Sequence, residues 1–228
     1  MASHTVLLFD IDGTLISTGG AGRRAMEAGF ALHTGRPDAC AGFSMAGLTD
    51  RLIVRRGLQQ VGHAVDEAAI DRVLDAYLAA LQTELASAEG YAVLPGVAAI
   101  LQHVAILPGL AVGLGTGNVR RGAQLKLQHG NIWHHFGFGG FGCDAEARDR
   151  LILAGAQRGA QALGQALDQC KVWVIGDTPL DVAAAHANGF ACLAVCTGGA
   201  TRAELAACQP EVLLDSLADP QAYAVIAG

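Results

Sequence analysis

An apolar run, Val6 to Phe9, stops on two aspartates, Asp10 and Asp12, and is followed by Gly13-Thr14-Leu15. In an extended strand alternate side chains share a face, so Asp10 and Asp12 are expected to converge at the strand tip while Ile11 points away. Two carboxylates in one place repel each other unless a cation stands between them or one keeps its proton, and both arrangements serve catalysis. Gly13 permits a turn that other residues resist. A polar turn after a strand explains any single aspartate, but the whole string Asp10-Ile11-Asp12-Gly13-Thr14-Leu15 is far more specific.

Further strand-like runs end in polar segments or turns: Ala111 to Leu114 before Gly115-Thr116-Gly117-Asn118, Phe138 to Phe141, Lys171 to Ile175 before Gly176-Asp177-Thr178, Ala191 to Val195, and Val212 to Leu214. They alternate with helical stretches, which predicts an α/β fold, a Rossmann-like doubly wound parallel sheet joined by right-handed crossovers. Sites in such sheets gather beyond the carboxyl ends of the strands. Asp10, Thr116 and Asp177 all lie there. Between the first two strands the chain is much longer than one crossover needs. Ile70, Val73, Leu74, Tyr77, Leu78, Leu81 and Leu85 recur at helical spacing, Thr49 to Val61 presents Leu52, Ile53, Leu58 and Val61, and a third stretch after Gly19-Gly20 carries Met26 and Phe30. The expected organisation is a core of residues 1–16 and 93–228, with a small all-α cap domain, residues 17–92, inserted after the first strand. Its connections, near Ser17-Thr18-Gly19-Gly20 and Leu94-Pro95-Gly96, contain residues that interrupt regular structure.

Four segments resemble the motifs of the haloacid dehalogenase-like hydrolases: Asp10-Ile11-Asp12-Gly13-Thr14, Gly115-Thr116-Gly117-Asn118, a basic residue near Arg148, and Gly176-Asp177-Thr178-Pro179-Leu180-Asp181. The position of the insert is similar to that in the helical-cap branch, which includes phosphoglycolate phosphatases and β-phosphoglucomutases. The resemblance implies a magnesium-dependent phosphatase for a small phosphorylated metabolite. Asp10 is then the nucleophile that forms an aspartyl phosphate, and a carboxylate in that role needs positioning more than activation. Asp12 is the implied general acid and base, protonating the leaving alcohol and then drawing a proton from water, while its backbone carbonyl faces the metal. Asp177 joins Asp10 in an oxygen-rich shell for Mg2+, so the implied metal set is Asp10, Asp12 and Asp177. Asp181 is an expected outer or water-mediated ligand. The Thr116 hydroxyl and the backbone around Gly117 and Asn118 are expected to hold phosphoryl oxygens at a helix start. The commoner form of the third motif is a lysine followed by proline, and neither Lys126 nor Lys171 fits it. Arg148 and Arg150 are the candidates, with Arg148 preferred by its distance from the preceding strand. Thr49, Asp50, Arg51, Arg23 and Arg24 are candidates for substrate or hinge contacts, with helix capping and solvation as plainer roles.

Composition bounds the alternatives. The net charge of −6 and the absence of a basic stripe argue against nucleic acid as the main partner. No apolar run reaches the roughly 18 residues a membrane span needs. Met1 to Thr5 carries no basic segment ahead of an apolar stretch, so no cleaved leader is expected and the cytoplasm is the expected compartment. The six cysteines form no C-x-x-C pair, which predicts neither a zinc site nor a disulfide framework, and His134-His135 reads as a surface or packing pair. Asp12 disfavours a dehalogenase, whose branch resembles D-x-Y at that place, and the lysine-free insert disfavours a phosphonatase. A sugar phosphomutase using the same aspartyl phosphate and a non-catalytic phosphate-binding module are the alternatives.

Overall fold

The computed structural model describes residues 4–227; Met1 to Ser3, which bear on the expectation of no cleaved leader, and Gly228 lie outside the described residues. The chain begins with β1 (His4–Phe9), β2 (Ile16–Thr18), α1 (Ala21–Thr34), α2 (Asp50–Gln60), α3 (Glu67–Ala86), β3 (Tyr91–Val93) and α4 (Val97–Val104). It continues through β4 (Leu110–Gly115), α5 (Arg120–His129), β5 (Phe138–Gly140), α6 (Arg148–Ala162), β6 (Cys170–Gly176) and α7 (Pro179–Ala187). The final elements are β7 (Ala191–Val195), α8 (Arg202–Ala207), β8 (Val212–Leu214) and α9 (Pro220–Ala227).

Six strands form one parallel sheet in the order β5-β4-β1-β6-β7-β8, with helices on both faces. This is the Rossmann-like α/β architecture. Alternation along β1 builds both faces: Leu7 and Phe9 join Val97, Ile100, Leu101 and Leu127, whereas Val6 and Leu8 join Leu151, Ile152, Ala156 and Val182. A strand covered on both sides reads as a continuous apolar run, which is why Val6 to Phe9 shows no polar residue. The strand order reverses around β1, since β4 and β5 lie to one side of it and β6, β7 and β8 to the other. The crevice at that reversal is where ligands bind in such sheets. Among the described residues no helix is long and apolar enough to cross a membrane.

Between β2 and β3, helices α1, α2 and α3 enclose a separate apolar cluster around Phe30, Leu58, Ile70, Val73, Tyr77 and Leu81. Thr49 caps α2 by accepting from Leu52 N at 3.3 Å, and Asp66 caps α3 by accepting from Ala69 N at 2.7 Å. One difference from the expectation lies beside the two connections. Ser17 and Thr18 pair with Ala92 and Tyr91 as antiparallel strands, while Leu94 to Gly96 stays outside any strand, and Gly19 lies so close to Gly90 that a Cβ would lie 2.7 Å from its backbone. A second difference is the end of β1. The strand stops at Phe9, and Asp12 makes only an isolated bridge to Ile16, so strand alternation does not account for the placement of Asp10 and Asp12.

The last residue of β5, Gly140, lets α6 lie directly on the sheet. A Cβ there would sit 1.8 Å from the carbonyl oxygen of Leu151. Because that atom is backbone, no side-chain rotation relieves the clash. Gly140→Ala is therefore expected to lower stability by about 1–3 kcal/mol, read as a lower urea midpoint with an unchanged slope.

Candidate active site

The carboxylates gather beyond β1 and β6. Asp10 follows β1, and its backbone N–H donates to Ile175 O of β6 at 2.8 Å, so the sheet's own pairing fixes the residue. Asp177 follows β6 in a space kept clear by glycine. A Cβ on Gly198 would lie 1.6 Å from Asp177 Oδ2, and one on Gly13, whose φ is +86°, would lie 2.4 Å from it. Thr14 Oγ1 donates to Asp177 Oδ1 at 3.0 Å. Asp181 sits in the first turn of α7, where Oδ2 accepts from Thr178 N at 3.0 Å and Thr178 Oγ1 at 2.7 Å. Its other oxygen accepts from Arg148 Nε at 3.0 Å and Nη2 at 2.5 Å. Asp181 is thus fully engaged.

Arg148 opens α6 and is buried. Its Nη2 lies 3.0 Å from Asp10 Oδ2, and its Nη1 donates to Gly47 O at 2.9 Å, on the loop before α2. Burial works against its charge, but Asp181 and Asp10 outweigh that effect and hold the guanidinium's pKa above its ordinary value. Arg150 lies elsewhere, exposed beside Asp149. Burial raises the Asp10 carboxyl to about 6, with Arg148 opposing and Asp181 and Asp12 adding to the rise. Burial, then Asp181 and Asp10, raise Asp177 to about 8.

Asp12 belongs to a different set of contacts. Its Oδ2 accepts from Lys126 Nζ at 2.7 Å and Asn118 Nδ2 at 2.8 Å, and Lys126 also donates to Asn118 Oδ1 at 2.6 Å. Sequence reasoning missed Lys126. Its signal was a lysine among the residues of α5 that are otherwise apolar and buried, Gly122, Ala123 and Leu127.

Thr116 departs from the expected phosphate cradle. It is fully buried, its N–H donates to Gly140 O at 3.0 Å, and its hydroxyl accepts from Asn118 Nδ2 at 2.9 Å. The N–H of Val119, where α5 begins, is taken by Asp50 Oδ2 at 2.8 Å. The structure leaves Gly117 and Asn118 on the cavity wall, while Thr116 lies behind them.

A cavity of about 320 Å³ joins these groups. Asp10, Asp12, Asp177, Lys126 and Arg148 line one side, and Arg23, Met26, Met45, Asp50, Ile53 and Tyr77 face them from the helical insert. Asp50 is buried, and burial raises its carboxyl to about 6. Thr49 donates to Glu146 O at 3.2 Å, Arg51 pairs outward with Asp71 at 2.8 Å, and Arg24 pairs with Glu84 at 2.6 Å.

A divalent cation fits this donor set. Asp10, Asp177 and Asp181 are buried and offer oxygens within 4.8 Å of one another, against the single charge of Arg148. Since Asp181 is already saturated, Asp10 and Asp177 are the carboxylates free to hold a hard cation. The carboxylate of Asp12 lies outside that cluster.

A family model described as haloacid dehalogenase-like hydrolase matches residues 7–186. No curated protein matches the chain. Among solved structures, the fold is similar to a predicted phosphoglycolate phosphatase from Haemophilus somnus, at 18% identity over 98% of this chain and 99% of that one, with a TM-score of 0.71. It is also similar to a predicted phosphatase from Clostridium acetobutylicum, at 17% identity over 99% of both chains and a TM-score of 0.69. A candidate β-phosphoglucomutase from Bacteroides vulgatus matches at 19% identity over 99% of this chain and 89% of that one, with a TM-score of 0.68. At these identities the likeness is one of fold.

Raised carboxyl pKa values fix the sign of a stability effect. Without a cation, Asp10 and Asp177 favour folding while protonated, and that contribution, whole below the ordinary carboxyl value of 3.8, is lost as pH rises from there to about 6 for Asp10 and to about 8 for Asp177. The metal-free protein is expected to lose melting temperature as pH rises across this window, and Asp177→Asn is expected to flatten the fall. Mg2+ should raise the melting temperature more at the alkaline end, as thermal unfolding in chelator and in excess Mg2+ will show.

Proposed function

Since the chain belongs to the haloacid dehalogenase-like hydrolase family, we propose that it is a magnesium-dependent phosphatase that cleaves a small phosphorylated metabolite through an aspartyl phosphate on Asp10. One observation carries the proposal: the buried Asp10 carboxylate opens into the cavity with Arg148 on one side and the acidic partner Asp177 on the other. Asp10 and Asp177 would hold Mg2+, which when bound would supply positive charge to offset the phosphoryl oxygens. Asp10 attacks phosphorus as the bond to the leaving oxygen breaks, and Asp12 protonates that oxygen. Asp12 then takes a proton from water as the water cleaves the aspartyl phosphate and releases inorganic phosphate. Arg148 offsets the charge that accumulates on the reacting oxygens, and the Gly117 backbone and Asn118 contact the phosphoryl group. Helices α1 to α3 act as a cap, with residues 45–50 covering the nucleophile and excluding water. Free cysteines throughout the described chain suit a cytoplasmic enzyme.

The mutase reading, favoured by the likeness to the Bacteroides vulgatus protein, needs a site for a second phosphate. On the cap side of the cavity Arg23 is the cation among the lining residues, and it already leans on Glu27 at 3.7 Å. The organic part of the substrate faces Met26, Met45, Ile53 and Tyr77. That lining suits a monophosphate of a small, partly apolar alcohol.

Release of inorganic phosphate from p-nitrophenyl phosphate, with and without Mg2+, tests the reading. Asp10→Asn is expected to lower turnover by more than about a thousandfold while the folded signal is kept. Near-normal turnover in that variant means another nucleophile, and metal-independent or absent turnover in the folded wild type favours the phosphate-binding module. Asp177→Asn is expected to raise the half-saturating Mg2+ concentration by about tenfold or more.

A further inference from the structure

Lys126 is a buried cation of the site that the chemistry above leaves unused. An ammonium at 4% exposure is costly unless partnered, and its partners are specific. Nζ donates to Asp12 Oδ2 at 2.7 Å and to Asn118 Oδ1 at 2.6 Å, and Asn118 Nδ2 brings a second donor to the same Asp12 oxygen at 2.8 Å. The three side chains close a triangle. Asp12 Oδ1 receives no donor among the described residues, and the residue lines the cavity. Space for the ammonium is set by the helical insert: a Cβ on Gly22 of α1 would lie 3.4 Å from Nζ, and Tyr77 of α3 faces it.

We infer that Lys126, with Asn118, is a positioning residue that clamps Oδ2 of Asp12 so that Oδ1 faces the leaving oxygen of the ester. The inference rests on the phosphatase reading. Two donors on Oδ2 make it the poorer seat for a proton, so the proton passed to the leaving group sits on Oδ1. That proton moves to the ester oxygen as the phosphorus–oxygen bond breaks and the bond to Asp10 forms, and Lys126 keeps its own protons throughout. The insert packs around Nζ, so the seated insert helps hold the lysine against Asp12.

A misaligned acid harms esters whose leaving group needs a proton and spares those whose leaving group departs as a stable anion. The test compares kcat/KM for p-nitrophenyl phosphate with that for the alkyl monophosphate the wild type cleaves best. This parameter covers only steps through loss of the first product, so hydrolysis of the aspartyl phosphate, common to both esters, does not enter. Lys126→Met is expected to lower kcat/KM by about a hundredfold on the alkyl ester and by less than about fivefold on the aryl ester. Lys126→Arg is expected to recover about tenfold of the alkyl loss. Lys126→Gln, which keeps a hydrogen-bond donor without the charge, is expected to show the same split at about tenfold, and it carries the test if the methionine variant fails to fold. Equal losses on the two esters overturn the inference while leaving the phosphatase reading intact. A wild type that cleaves neither ester overturns both.

Discussion

Three buried carboxylates beyond β1 and β6 repel one another, and the fold answers them with the single guanidinium of Arg148. Much of the local architecture follows from that need. Arg148 must stand at the first residue of α6, α6 must lie against β5, and Gly140 must lack a side chain for it to do so. The same guanidinium reaches the Gly47 carbonyl, so the group that balances Asp10 also touches the loop before α2. Burial raises the pKa values of Asp10 and Asp177, and one positive charge against three carboxylates leaves an imbalance that adds to the rise. A divalent cation is the natural complement.

Asp10 and Asp12 are two residues apart and live in different surroundings. Arg148 on α6 serves the first, and Lys126 on α5 serves the second. The side chain of Asp10 is 7% exposed and that of Asp12 43%. Separate environments for neighbouring carboxyls are what distinct roles require, since groups that shared one environment would titrate and react alike. The irregular backbone after Phe9 makes the separation available, because continued strand geometry would have aimed both side chains the same way.

The parts of the site legible in the sequence are those carried by short strings at strand ends. Asp10, Asp12, Asp177 and Asp181 each sit within a few residues of the strand or helix that holds them, and the apolar runs that mark those elements are continuous. Arg148 was readable from its distance to β5, although its partners Asp10 and Asp181 lie far away in the chain. Lys126 was not, because its meaning comes from Asp12, 114 residues earlier, and no local pattern announces that pairing. The engagement of the Thr116 N–H by Gly140 was hidden for the same reason. The pairing of β2 with β3 escaped because three-residue strands have no measurable period, and only the closed chain brings Ser17 beside Ala92.

The insert is held together and held down by different forces. Within it, Phe30, Leu58, Ile70, Val73, Tyr77 and Leu81 are removed from water, each worth roughly 1.5–3 kcal/mol. Its contacts with the core near α2 are polar: Asp50 N to Gly117 O at 2.8 Å, Val119 N to Asp50 Oδ2 at 2.8 Å, Thr49 Oγ1 to Glu146 O, and Arg55 to Glu146 at 2.7 Å. Polar contacts of this kind exchange with water at about 0.5–1.5 kcal/mol each, and partly exposed ion pairs at about 0–1. Apolar packing also joins the insert to α5, through Tyr77 beside Gly122 and through Val119, which is buried in the insert's own cluster. The bundle thus has an apolar cluster of its own, and the paired β2 and β3 join it to the rest of the chain. Lys126 sits between insert and core. Its ammonium joins Asp12 and Asn118 of the core to Gly22 and Tyr77 of the insert, so one buried charge ties the two together where they meet.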